Sequence, residues 1–300
     1  MGRVHATQYR GGTRMITKDL ISLENREKDL TAGPRQLIAL ARFASKVFML
    51  AALTLLAYSL AWNFSTRSYL KGFADAIVPL AGLPEEKTEA LAKWFRNKPQ
   101  RTDPPLAESV SLSDRDPVNI VQNVRLLKVC GSATNAFVNL ADVAGLRARR
   151  LLLLDESGST KHVVAEVQWG SRWVVVNPQQ GLVFRDHLGR ALTKEELRDP
   201  EVFRDAISQM PGYSPTYTFE RTIHIRLKRI PILGDHLRRA LDRFTPGWEE
   251  AINWAYFPEN PSLWLLFVSL PLLLLGTLSY LIVNRYGGNK RGIVTPGFRE

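Results

Sequence analysis

Two long stretches without a charged residue decide what this chain can become. One runs over 47–66 around FMLAALTLLAYSLAW, the other over 261–284 around LWLLFVSLPLLLLGTLSYLIV. Each reaches the roughly 20 apolar residues that cross a hydrocarbon core about 30 Å thick. The second is the stronger signal. The first is diluted by Ala, Thr and Ser, and a buried core helix is its competing reading. It does not read as a cleavable leader, because a long polar segment precedes it and no small-x-small site follows.

Lys and Arg near the ends of these stretches set an expected orientation. Lys28, Arg35, Arg42 and Lys46 precede the first, and only Arg67 and Lys71 follow it closely. Before the second, Arg243 stands against Asp242, Glu249, Glu250 and Glu259; after it come Arg285, Lys290, Arg291 and Arg299. The expected organisation is a basic cytoplasmic segment (1–46), a membrane helix (47–66), an extracytoplasmic domain (67–258), a second membrane helix (261–284) and a cytoplasmic tail (285–300). That places a two-pass protein in the cytoplasmic (inner) membrane, its central domain on the envelope or periplasmic side and the lipid bilayer as a partner. The opposite orientation, with the domain in the cytoplasm, is the alternative.

The net charge of +11 does not imply nucleic-acid binding. Much of it lies in the two tails, where positive-inside bias and anionic lipid headgroups account for it. Arg221, Arg226, Lys228, Arg229, Arg238, Arg239 and Arg243 form a second basic cluster. It lacks interleaved aromatics or a nucleic-acid motif and reads as a solvated or membrane-facing surface, so no nucleic-acid partner is expected.

Between the spans the pattern is α+β. Residues 1–46, punctuated by Gly11-Gly12 and Gly33-Pro34, read as partly disordered. PEEKTEALAKWFRN (84–97) is a helix with Pro at its first position. The Pro- and Ser-rich 99–113 is a loop, and 117–127 a further helix. From Cys130, Ala133, Phe137, Leu140, Ala141 and Ala144 recur at helical spacing, with Gly145 as the stop. Strands follow at 149–154, 162–169 and 172–176, the last two joined by a Gly170-Ser171 turn suited to type II′. Thr193–Glu196 is a capping box, Asp199-Pro200 opens a short helix, 222–230 alternates as a strand, and Thr245-Pro246 opens an amphipathic helix.

Cys130 is the only cysteine in the chain, so no internal disulfide forms. A lone thiol outside the cytoplasm is exposed to oxidation and mispairing, and its presence there favours use. At the first turn of a helix its thiolate is stabilised by free N–H groups and the dipole. With residues 170 and 171 at the turn, Trp169 faces Arg172, Val167 faces Val174 and Val164 faces Asn177. His162 and Asn177 are then diagonal neighbours on one face, roughly 7–8 Å apart between backbones. The Asn177 carbonyl accepts from one imidazole nitrogen, and the other is left for a thiol. The Cys130 N–H is a candidate oxyanion donor, with Gln122 as a weaker second.

Cys130-Gly131, Phe137, Gly145-Leu146-Arg147-Ala148-Arg149, His162 with Glu166-Val167, and Trp173 leading to Asn177-Pro178 together resemble the transglutaminase-like superfamily. The resemblance implies a papain-like α+β core with Cys-His-Asp/Asn chemistry on amides and catalytic residues Cys130, His162 and Asn177. The sequence has no CxxC, no HExxH and no ligand-spaced histidines, so no metal is expected, and no cofactor. The resemblance also implies a peptide or protein substrate, released to water (peptidase or amidase) or to an amine (transglutaminase). Asn177 stands where the family usually carries Asp, and Lys128-Val129 where Gly often precedes the cysteine. The alternative is a non-catalytic module of the same fold in an envelope polymer synthesis or export complex. Glu166 reads as a stabilising residue, and His187, His224 and His236 as surface histidines.

Overall fold

The structure, a computed structural model, describes residues 13–97, 113–225, 234–248 and 260–288. Two compact units divide it: the described residues up to Ala57 and from Phe267 onward, and Tyr58–Leu266. The first holds apolar parts of α1 (Thr13–Ile77) and α7 (Pro261–Gly288). Their stretches Gln36–Ile77 and Pro261–Arg285 are long and apolar enough to cross a membrane, and only 11% of either apolar window is buried by protein. A soluble-core helix would cover far more of itself. The helix α1 overruns the expected span of 47–66 at both ends. It also covers 13–46, where partial disorder was expected: Leu, Glu, Lys and Arg are good helix formers, and Gly33-Pro34 does not interrupt them.

The second unit is α+β, with an antiparallel five-stranded sheet in the order β4-β3-β2-β1-β5. The strands are β1 Ala148–Leu154, β2 Thr160–Trp169, β3 Arg172–Asn177, β4 Leu182–Val183 and β5 Thr222–Ile223. The hairpin register agrees with the sequence: Trp169 pairs with Arg172, Val167 with Val174 and Ala165 with Val176. Gly170 takes φ 59° at the turn. Each face of this sheet carries its own apolar core.

On one face lie Ala148, Ala165, Val167, Val174 and Val176, packed with Ala133, Ala136, Phe137, Leu140 and Ala141 of α4 (Cys130–Val143) and with Leu91 and Phe95 of α2 (Pro84–Asn97). The helix α4 ends in a Schellman motif: Leu146 N–H bonds Ala141 O, Gly145 N–H bonds Asp142 O, and Gly145 has φ 79°. On the other face Leu151, Leu153, Val164 and Val175 meet Phe184, Phe203, Tyr213 and Phe219, brought partly by α5 (Pro200–Ser208), whose cap Asp199 accepts from Glu201 and Val202.

Three expectations need correction or fall outside the description. The helix expected over 117–127 stops early: α3 is Pro117–Gln122, and a separate 3-10 turn covers Leu126–Lys128. Asn123 ends it, turning to an extended conformation while its Oδ1 accepts from the Arg125 N–H at 3.1 Å. That is a local side-chain bond competing with the helix. The strand expected over 222–230 pairs only at Thr222 and Ile223, and residues 226–230 lie outside the described residues, as does most of the amphipathic helix begun at Pro246. A helix not read from the sequence, α6, covers Gly234–Phe244 and carries Arg238, Arg239 and Arg243.

Candidate active site

Cys130 is the first residue of α4, preceded by Val129, whose side chain offers no cap. The thiol is half-buried and free. Two contacts fix this helix start to one end of the sheet. The hydroxyl of Thr134, one turn on, donates to Val163 O at 3.1 Å, and Gln179 Nε2 donates to Lys128 O at 2.6 Å. One contact thus falls near the beginning of β2 and the other just past the end of β3.

His162 and Asn177 occupy that same sheet end. His162 opposes Leu153, where a bulge shifts the register. With β2 and β3 in the register above, the two side chains share the face of Val164 and Val175. They are 3% and 1% exposed. The Asn177 amide reaches the imidazole, and His162 Nε2 and Asn177 Oδ1 are the two buried polar atoms of the pair that lack a hydrogen bond of standard geometry. The contact between the two side chains is thus looser than a full hydrogen bond. Burial pushes the imidazole down to about 4, and the amide offsets part of that drop. At neutral pH the ring is uncharged.

Its covering comes from residues the sequence did not point to. Tyr217 stacks on the His162 ring with centroids 4.6 Å apart and planes 5° apart, and Tyr213 meets it edge-on at 5.7 Å. The Tyr213 hydroxyl donates to Tyr217 O at 3.0 Å, which braces the two rings. Burial holds the Tyr213 hydroxyl far above its ordinary range and therefore neutral.

The loop after β3 is clamped on three sides. Besides the Gln179 bond, Arg96 Nε of α2 donates to Gly181 O at 3.1 Å, and Gln180 Nε2 donates to Pro211 O at 3.1 Å. Gly181 has φ 67°, and a Cβ there would collide with the backbone at Arg96 N and Ala92 O, so glycine alone fits. Asn177 Nδ2 donates to Gln180 Oε1 at 3.0 Å. The only sequence signals for this clamp are the run Asn177-Pro178-Gln179-Gln180-Gly181 and the Pro-flanked Tyr213 and Tyr217.

The structure therefore brings His162 and Asn177 together. It sets Cys130 at the same end of the sheet, but α4 packs on the opposite face, and the thiol makes no hydrogen bond to His162 Nε2. Gln122, the weaker oxyanion candidate, ends α3 and is exposed.

Further along the His162 face is a buried charge cluster. Glu166, fully buried, accepts from Arg149 Nε and faces His224 Nε2, both at 2.7 Å. The Arg149 guanidinium lies 4.0 Å from the Trp173 ring centre. Burial opposes the Glu166 charge, but the His224 bond and the Arg149 and Lys194 charges outweigh it and hold the carboxyl below its usual range. His224, expected at the surface, is buried, because β5 pairing with β1 carries it over Glu166. His187 is exposed beside Asp205, as expected. Among the described residues no group of three or more His, Cys, Asp or Glu side chains is arranged to hold a metal ion.

No protein-family model, no curated protein and no solved structure matches the chain.

Proposed function

We propose that this is a membrane-anchored thiol enzyme of the transglutaminase-like kind, acting on amide bonds of cell-envelope peptides or proteins. The observation that carries the reading is the His162–Asn177 pair, held at the end of the sheet to which the first turn of α4, with Cys130, is fastened. In this reading the neutral imidazole takes the thiol proton at Nδ1 as sulfur adds to the amide carbonyl. That proton passes to the departing amine as the C–N bond breaks. The thioester is then opened by water, or by a second amine, regenerating the thiol. Asn177 orients the ring throughout.

The reading requires the thiol to reach the imidazole past the edge of the sheet, with the Tyr213–Tyr217 segment giving way to substrate. Iodoacetamide labelling of the full chain across pH tests it. Cys130 should alkylate at least about tenfold faster than in the His162→Ala variant. A rate that His162→Ala leaves unchanged at every pH rejects the enzyme.

A second reading draws on a specific observation: the tyrosine cover of His162 and the placement of α4 on the opposite face both favour a non-catalytic module of an envelope assembly. Under that reading Cys130→Ala restores a null phenotype in full. Under the enzyme reading it does not.

A further inference from the structure

An amide beside a histidine has a problem that a carboxylate does not. Asp presents only acceptors, so it fixes the imidazole tautomer whichever way it is turned. Asn presents an acceptor on one side and two donors on the other, and a half-turn of the amide reverses what the ring sees. Something must fix which end of Asn177 faces His162.

The hydrogen bonds around Asn177 form a chain with one allowed direction. Pro211 O can only accept. It therefore takes the NH₂ of Gln180 (Nε2 to Pro211 O, 3.1 Å). Gln180 is left to present Oε1 to Asn177, where Nδ2 donates at 3.0 Å. Asn177 is left with Oδ1 for the imidazole that its amide reaches, and both Oδ1 and His162 Nε2 are buried without a standard hydrogen bond. A donor is needed opposite Oδ1, so the neutral ring carries its proton on Nε2 and keeps the Nδ1 lone pair. The carbonyl at the far end sets the polarity of the whole relay. The clamp on Gly181 by Arg96 holds Gln180 in reach of both neighbours.

We propose that Gln180 is a positioning residue which, anchored on the Pro211 carbonyl, fixes the Asn177 amide and through it the Nε2–H tautomer of His162. The catalytic consequence, a free Nδ1 to accept the Cys130 proton, rests on the thiol-enzyme reading; the tautomer does not.

The test uses the full chain with ¹⁵N-labelled histidine, comparing wild type, Gln180→Met, Asn177→Asp and the double variant at pH 7. Nitrogen shifts separate a protonated ring nitrogen from one with a lone pair. The expected wild-type ring is Nε2–H. Gln180→Met frees the amide to turn, so His162 shows a mixture of tautomers, and Cys130 alkylation falls about tenfold, less than the ~10²–10⁴ that loss of a positioned base would cost. In the Asn177→Asp background the carboxylate fixes the ring by itself, so adding Gln180→Met leaves both readouts unchanged. If Gln180 merely braced the loop, its loss would do equal harm in both backgrounds. A wild-type ring found as Nδ1–H, or equal effects in the two backgrounds, overturns the proposal. If instead the tautomers behave as expected but alkylation ignores His162→Ala, the thiol-enzyme reading fails and the positioning role of Gln180 stands.

Discussion

Burial of His162 makes a quantitative demand on the pH dependence of stability. The imidazole moves from 6.5 to about 4 on folding, so the folded state resists a proton that the unfolded chain accepts. Above pH ~6.5 neither state is protonated at this ring, and its contribution is fully present. Between 6.5 and 4 the unfolded chain binds up to one proton more, and stability falls with pH by up to about 1.4 kcal/mol per unit. Integrated over the window, the loss is about 3 kcal/mol, a large share of the 5–15 kcal/mol typical of a domain. The assay is urea unfolding of the full chain in mild detergent, followed by tryptophan fluorescence from pH 8 to pH 4, for wild type and His162→Gln. Subtracting the two profiles removes the carboxylates common to both. Wild type should lose about 3 kcal/mol relative to the variant as pH falls through the window, with no divergence above pH 7. Parallel profiles, or an imidazole found by NMR to titrate near 6.5, would refute the buried, uncharged ring.

Three further perturbations probe its surroundings. Tyr217→Ala opens the stacked face of His162 and should raise the ring from about 4 back toward its ordinary value in an NMR titration; a ring that stays near 4 would mean that another contact keeps water away. Arg149→Met removes a partner of the fully buried Glu166 and should cost about 3–5 kcal/mol in urea unfolding, whereas a loss below about 1 kcal/mol would show that His224 alone suffices. Gly181→Ala forces a Cβ into the α2 backbone at a left-handed φ and should cost at least about 2 kcal/mol in thermal unfolding, while shifting the loop that carries Asn177 and Gln180; an unchanged midpoint would contradict the close approach.

Local chemistry was legible in this sequence wherever it was strong. Pro84 with Glu85 and Glu86 marked the start of α2, and Gly145 marked the end of α4. The Gly170-Ser171 turn fixed the register that puts His162 and Asn177 on one face. Thr193 and Glu196 form the expected capping box, with Thr193 N–H on Glu196 Oε2 at 2.8 Å and Glu196 N–H on the Thr193 hydroxyl at 3.3 Å. What could not be read depends on contacts distant in the chain. Tyr213 and Tyr217 reach His162 from some fifty residues downstream (a separation plain in their numbers), with no periodicity to announce them. Gln180 looks like an ordinary loop residue until Pro211 is found opposite it. His224 looked solvated because basic residues flank it, yet the bend just past β5 carries it inward onto Glu166.

The hardest feature to foresee was which face of the sheet α4 would cover. Alternation places His162, Val164 and Glu166 on one face and Val163, Ala165 and Val167 on the other. A half-exposed sheet would reveal its buried face by polar residues opposite. Here Val164 and Val175 are as buried as Ala165 and Val176, so the pattern carries no such signal. The parity that unites His162 with Asn177 also sets both against the face on which α4 lies. Under the proposed thiol-enzyme reading, a triad would have to close around the end of the sheet and not across it, past the first turn of α4 and the bulge where Leu153 opposes His162 and Leu154 opposes Thr160. That bulge leaves Lys161 outside the pairing and bends the strand next to the imidazole. It is the one place where β2 departs from strict alternation, and it lies where the thiol and the ring would have to meet.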